Sequence, residues 1–125
     1  MVRRFFFLGA ASAFVGVSAG AFGAHGLKGR ISTEMLTIFE VGVRYEMYHA
    51  FALIITAWVQ TKWPSPMVIA AGWCFAVGTI LFSGSLYLLS LSGLKWLGAI
   101  TPVGGLAFLA GWGLLALGFL KSQHR

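Results

Sequence analysis

Residues 45–49 read Tyr-Glu-Met-Tyr-His. Glu46 and His49 are three residues apart, so a helix brings both side chains to one face. A carboxylate beside an imidazole can do several things. With a further histidine it can hold zinc or iron. It can pass protons, because histidine titrates near neutral pH. It can also satisfy itself, with tyrosine hydroxyls helping to neutralise the pair at low dielectric. This last reading leads. The further histidine on offer is His25, which closes the run Gly-Ala-Phe-Gly-Ala-His-Gly at residues 20–26. Glu34, Glu40 and Glu46 are the only acids and there is no aspartate. The second half of a di-iron carboxylate site is therefore missing, and no metal or cofactor is expected. Ser83-Gly84-Ser85 offers hydroxyls, but a serine nucleophile needs a base, and only His25 or His49 would serve. No Gly-x-Ser-x-Gly elbow or phosphate loop is present, and the glycines of residues 20–26 follow no strand. No catalytic residue is assigned, and the chain reads as a non-enzyme.

These residues must be positioned by elements that suit lipid. Hydrophobic residues make up 58% of the chain and charged residues 10%, against roughly 25% charged in a soluble domain. That leaves too few charges to coat a water-facing surface. A membrane helix needs about 20 apolar residues. Four stretches serve, over approximately 5–24, 45–63, 67–91 and 97 or 102 to 120. The fold expected is an all-α, four-helix transmembrane bundle forming a single integral domain. Arg3 and Arg4 before an apolar run resemble a signal peptide, but the run is long for one and three more spans follow. Cys74 is a lone cysteine and makes no internal disulfide.

The one long connection runs from His25 to about Arg44. Within it, residues 33–44 read as a short interfacial amphipathic helix, capped by Ser32 or Thr33, with Glu34 in its first turn and a bend at Gly42. Trp63-Pro64-Ser65-Pro66 reads as a tight turn in which Ser65 caps the third helix, and Gly93 ends that helix left-handed. Thr101-Pro102 repeats the start signal, with one kinked helix from Trp96 as the alternative.

The net charge is +6, and the basic residues flank the apolar runs rather than clustering on a face. This fits membrane insertion and excludes a nucleic-acid site. Arg3, Arg4, Lys62, Lys121 and Arg125 would share one side, against Lys28, Arg30, Arg44 and Lys95 on the other. The balance favours both termini in the cytoplasm.

Lipid supplies no hydrophobic force between helices, so small residues must let them approach closely. Gly9, Ala13, Gly16, Gly20 and Gly23 form one stripe. Gly72, Ala76, Thr79 and Ser83 form a second, and Gly104, Ala107, Gly111 and Gly118 a third. A spare stripe would make a homo-oligomer interface. The second helix instead shows a polar stripe of Glu46, His49, Leu53, Thr56 and Gln60, which belongs against the bundle. Glu46 would lie within a turn of the membrane edge. Because the connection starts and ends at one membrane surface, His25, Glu46 and His49 are expected to be close in space.

Four motifs in order carry a family resemblance: GAFGAHGL at 20–27, YEMYHAFAL at 45–53, GTILFSGSLYLL at 78–89 and TPVGGLAFLAGW at 101–112. Over nearly the whole chain this resembles the YgdD/YwdK-like family. This is domain-of-unknown-function family 423, or uncharacterised protein family 0382, to which animal transmembrane protein 256 is similar. The resemblance implies a multi-pass inner-membrane or plasma-membrane protein of four helices, and implies no reaction. It picks out Gly20, Gly23, His25, Tyr45, His49, Ser83, Gly84, Ser85, Tyr87, Pro102, Gly104 and Gly105. The candidate ligand or ion site is then His25, Tyr45, Glu46, His49, Ser83, Ser85 and Tyr87. Partners expected are the lipid bilayer, a homo-oligomer and a protein not specified by the sequence. The leading function is a structural or lipid- or partner-binding bundle. The alternatives are a proton or small-solute channel along the second helix, or a membrane enzyme at His25 and His49.

Overall fold

A computed structural model describes residues 1–122; Arg125, counted above in the charge balance, lies outside the described residues. Four long helices follow one another: α1 (Val2–Phe22), α2 (Thr33–Lys62), α3 (Pro66–Ser92) and α4 (Thr101–Ser122). A π-helical turn, Gly23–Leu27, extends α1, and a 3-10 turn, Lys95–Ala99, precedes α4. Val2–Leu27, Pro66–Ser92 and Lys95–Ser122 are each long and apolar enough to cross a membrane. α2 is the longest at 30 residues, but Glu40, Arg44, Glu46, His49 and Gln60 dilute its apolar character.

Local chemistry sets the helix ends. The Ser32 hydroxyl accepts the Met35 amide at 3.1 Å, and Ser65 accepts the Met67 amide with Pro66 at the first helical position. Gly93 closes α3 at φ 76°, a conformation that costs a residue with a Cβ. α4 starts at Thr101, after a separate 3-10 turn rather than through a kink at Pro102. The Thr101 hydroxyl does not cap it but pairs with the Ser85 hydroxyl at 2.6 Å.

The expected interfacial helix over 33–44 is not a separate element. It is the first part of α2, which runs unbroken through Gly42. The cause is packing: the apolar side of this segment is taken up by α1, not by lipid headgroups. Phe39 sits against Gly23, and Val43 against Gly20. Gly42 is a close-approach point rather than a bend, since a Cβ there would lie 2.9 Å from the Tyr87 ring.

Each helix packs mainly on its neighbours in sequence, antiparallel. Between α1 and α2, Gly9 meets Ala50 and Leu53, Gly16 meets Glu46 and Met47, Gly20 meets Val43 and Gly23 meets Phe39. Between α3 and α4, Gly78 meets Phe108, Gly104 meets Phe82, Gly111 meets Phe75 and Gly118 meets Val68. Gly72 lodges the Phe5 ring of α1. The glycines of the three stripes are thus engaged inside the chain, while Ala76 and Thr79 of the second stripe line an open cleft. The core is Phe5, Ala52, Leu53, Ala57, Ala71, Phe75 and Phe108.

Candidate functional site: a buried polar column on α2

The α2 stripe turns inward. Glu46 is 5% exposed, His49 4% and Thr56 0%. A lone carboxylate at this depth costs several kcal/mol unless hydrogen bonded, and the neighbouring helices supply the partners. Ser12 of α1 donates to Glu46 Oε2 at 3.1 Å. Tyr87 of α3 donates to Glu46 Oε1 at 2.6 Å. One acid therefore ties three helices through two neutral hydroxyls.

One turn further along, His49 Nδ1 lies 2.8 Å from the Tyr45 carbonyl oxygen, and the Trp112 indole N–H points at His49 Nε2 from 3.1 Å. A carbonyl can only accept and an indole can only donate. Nδ1 therefore carries the hydrogen and Nε2 the lone pair. The imidazole also stacks on Phe108, with ring centroids 3.5 Å apart and planes 7° apart. His49 is the point at which α4 is fastened to α2. Combining His49→Phe with Trp112→Phe in a double-mutant cycle is expected to give a coupling of about 1 kcal/mol. Chemical denaturation in micelles reads it, and zero coupling would mean that the indole contributes packing alone.

The remaining candidates separate. Ser83 donates to the Gly42 carbonyl at 2.6 Å, across α3 and α2. Ser85 pairs with Thr101. The Tyr45 ring lies on Phe82, 4.7 Å between centroids. Ala76 lines a cleft beside Glu46. His25 does not join Glu46 and His49. From Gly9 to Gly23, α1 advances by fourteen residues while its partners on α2 fall by fourteen, from Leu53 to Phe39. Glu46 is level with Gly16, so His25 lies nine residues further on, roughly 13 Å along the axis. His25 is exposed, and among the described residues no group of three metal-ligating side chains forms. The same register places Glu46 opposite Ser12 and Gly16, midway along the apolar stretch Val2–Leu27. The separation of His25 follows from α2 starting at Thr33.

Sequence reasoning passed over Ser12, Phe108 and Trp112, and read Gly42 and Thr101 only as a bend and a helix start rather than as hydrogen-bond partners of Ser83 and Ser85. Trp112 left a signal: between Pro102 and Leu120 it carries the only side-chain hydrogen-bond donor, and a polar stripe on α2 needs such partners.

A family profile described as "Protein of unknown function (DUF423)" matches residues 19–105. The chain belongs to this family. The UPF0382 membrane protein YwdK of Bacillus subtilis (strain 168) is 45% identical over 121 residues, covering 96% of this chain and 98% of its own. A UPF0382 membrane protein of Staphylococcus haemolyticus is 45% identical over 120 residues, and one of Staphylococcus aureus (strain bovine RF122 / ET3-1) is 46% identical over 120. Both cover 96% of this chain and 98% of the relative. No solved structure matches. Like these relatives, the chain is a membrane protein. The profile spans His25, Glu46, His49, Ser83 and Tyr87, whereas Ser12 and Trp112 fall outside it.

Proposed function

We propose that the chain is a non-enzymatic bundle of four spanning helices that holds a lipid chain in a lateral groove. One observation carries the structural, non-enzymatic part of this reading. Among the described residues, every buried side-chain nitrogen and oxygen already has a hydrogen-bond partner inside the chain. Both His49 nitrogens are engaged, and each Glu46 oxygen receives a hydroxyl. The column thus serves to hold the helices in register. The same fact disfavours a pathway across the bilayer along α2: the Thr56 hydroxyl is turned onto its own helix at Ala52, and the Gln60 carbonyl accepts the Ser65 amide.

The groove has about 430 Å³ of space and is lined by Tyr45, Phe82, Pro102, Gly105, Leu106 and Trp112 among others. These walls suit an acyl chain. Making α2 the fourth span puts its polar face inward and both termini on one side. The basic residues favour the cytoplasmic side of the cell membrane.

Native mass spectrometry of the protein released from nanodiscs tests the reading. Wild type is expected to retain lipid, and Gly105→Phe, which fills the groove, to lose it at unchanged stability. Equal retention would sink the groove. The same spectra count subunits and so test for a homo-oligomer. Protease digestion of tags on either end of vesicle-embedded protein checks the topology: cleavage of one tag alone would mean an odd number of spans.

A further inference from the structure

Glu46 does more than join helices. Besides its two hydroxyl partners it borders a cleft of about 270 Å³, walled by Leu8, Ala11, Val15, Leu53 and Ile80, with Ser12 and Thr79 as the only other polar residues. The Thr79 hydroxyl is occupied by the Phe75 carbonyl of its own helix. The cleft opens sideways between α1 and α3, toward the side where Val15 and Ile80 are exposed.

A carboxylate in such a place needs a positive partner. Its hydrogen bonds come from neutral hydroxyls, and two such bonds do not replace the hydration of a full charge. The elements around it supply little else. α1 faces it with Ser12, and α3 with Tyr87. On α2 its titratable neighbours are Arg44 and Tyr45 just before it and His49 one turn on; its hydrogen bonds come instead from Ser12 and Tyr87, and the His49 ring is committed to Tyr45 and Trp112. No α4 residue lines the cleft. What fits between Glu46 and the Tyr87 oxygen, 2.6 Å away, is a hydrogen on either oxygen.

We propose that Glu46, clamped by Ser12 and Tyr87, is an exchangeable-proton site that opens to the lipid through this cleft. Its ligand is the proton. Its outward mark is reactivity toward an apolar reagent that dissolves in the bilayer and consumes carboxylic acids. A dialkyl carbodiimide is such a reagent. The acid's proton goes to one nitrogen of the carbodiimide while the carboxyl oxygen bonds to the central carbon. The acyl group then migrates from oxygen to nitrogen, giving a stable N-acylurea. The whole reagent is retained, nothing leaves and no electrons change hands. In an apolar cleft, migration outruns attack by water. The site does not depend on the lipid groove, which lies on the far side of α2 against α4.

The experiment is to treat the full chain in liposomes with dicyclohexylcarbodiimide and locate the adduct by peptide mass spectrometry. Glu34 and Glu40, on the exposed start of α2, serve as internal references. A water-soluble carbodiimide is run in parallel. The expected result is modification of Glu46 by the apolar reagent and not by the soluble one. Sodium ions should not protect it. Tyr87→Phe keeps the carboxyl and the cleft but removes one of its two hydroxyl donors, and is expected to change the rate of Glu46 modification. Absence of adduct on Glu46, equal modification by the water-soluble reagent, or protection by sodium would each overturn the proposal, the last by making this a metal-ion site. Since wild type is the sample and the adduct is mapped directly, the test does not rest on a variant that has to fold.

Discussion

Phe5→Ala is expected to be the most damaging single truncation in the bundle, at about 3 kcal/mol, the lower end of the range for removing a buried aromatic ring. Phe5 is completely buried although it stands in the second turn of the chain. Its ring fills the place that a side chain at Gly72 would occupy and meets the Trp73 ring edge-on at 5.3 Å. The lower end applies because lipid is as apolar as phenylalanine, so what is lost is close contact and cavity filling rather than escape from water. The control is Phe7→Ala: Phe7 is 69% exposed and its loss should stay within about 0.5 kcal/mol. Denaturation by sodium dodecyl sulfate in mixed micelles, followed by far-ultraviolet circular dichroism, measures both. Equal shifts for the two would refute the assignment of Phe5 to the core.

Gly104→Val is expected to cost a similar amount, roughly 3 kcal/mol, the upper end for overpacking. Here the obstacle is backbone. A Cβ on Gly104 would stand 2.8 Å from the Cα and Cβ of Phe82 and closer still to its amide nitrogen. Side chains can rotate aside, but a helix axis must move as a whole. The crossing of α3 and α4 would widen, taking with it Gly78 from Phe108 and, through α4, Trp112 from His49. Gly113→Val makes the same chemical change on the same helix where no other atom lies within 4 Å. It should leave the melting temperature almost unmoved. If both valines are tolerated, the α3–α4 approach is looser than described.

These two sites show what could and could not be read from the sequence. The long apolar runs, the caps at Ser32 and Ser65 and the left-handed stop at Gly93 are local, each decided by a few neighbouring residues and by the thickness of a bilayer. That Gly104 belongs to a packing stripe was equally legible, because spacing alone places it. Its partner was not. Nor was Phe5 distinguishable from Phe6 and Phe7 beside it, since all three suit lipid. Register is a tertiary property, and the largest misplacement came from it. Whether residues 33–44 lie flat on a surface or stand beside α1 depends on Phe39 finding Gly23 and Val43 finding Gly20. Once they stand, His25 moves away from Glu46, and Glu46 comes level with the middle of α1. The Trp112–His49 bond stayed hidden for another reason. Tryptophan reads as an apolar residue, and its one polar atom shows its use only when a lone pair is placed opposite.

The neighbour-on-neighbour order of the helices also has a meaning in time. A chain leaves the ribosome N-terminus first, so α1 and α2 can pair as a hairpin before α3 exists. At that stage Glu46 already has Ser12, thirty-four residues behind it, and enters the membrane partly screened. Tyr87, forty-one residues ahead, arrives only with the next helix. The acid therefore spends an interval of synthesis with half its final shelter. During that interval the nascent hairpin carries an acid with one of its two hydroxyl donors missing, and α3 is the segment whose arrival completes the pair.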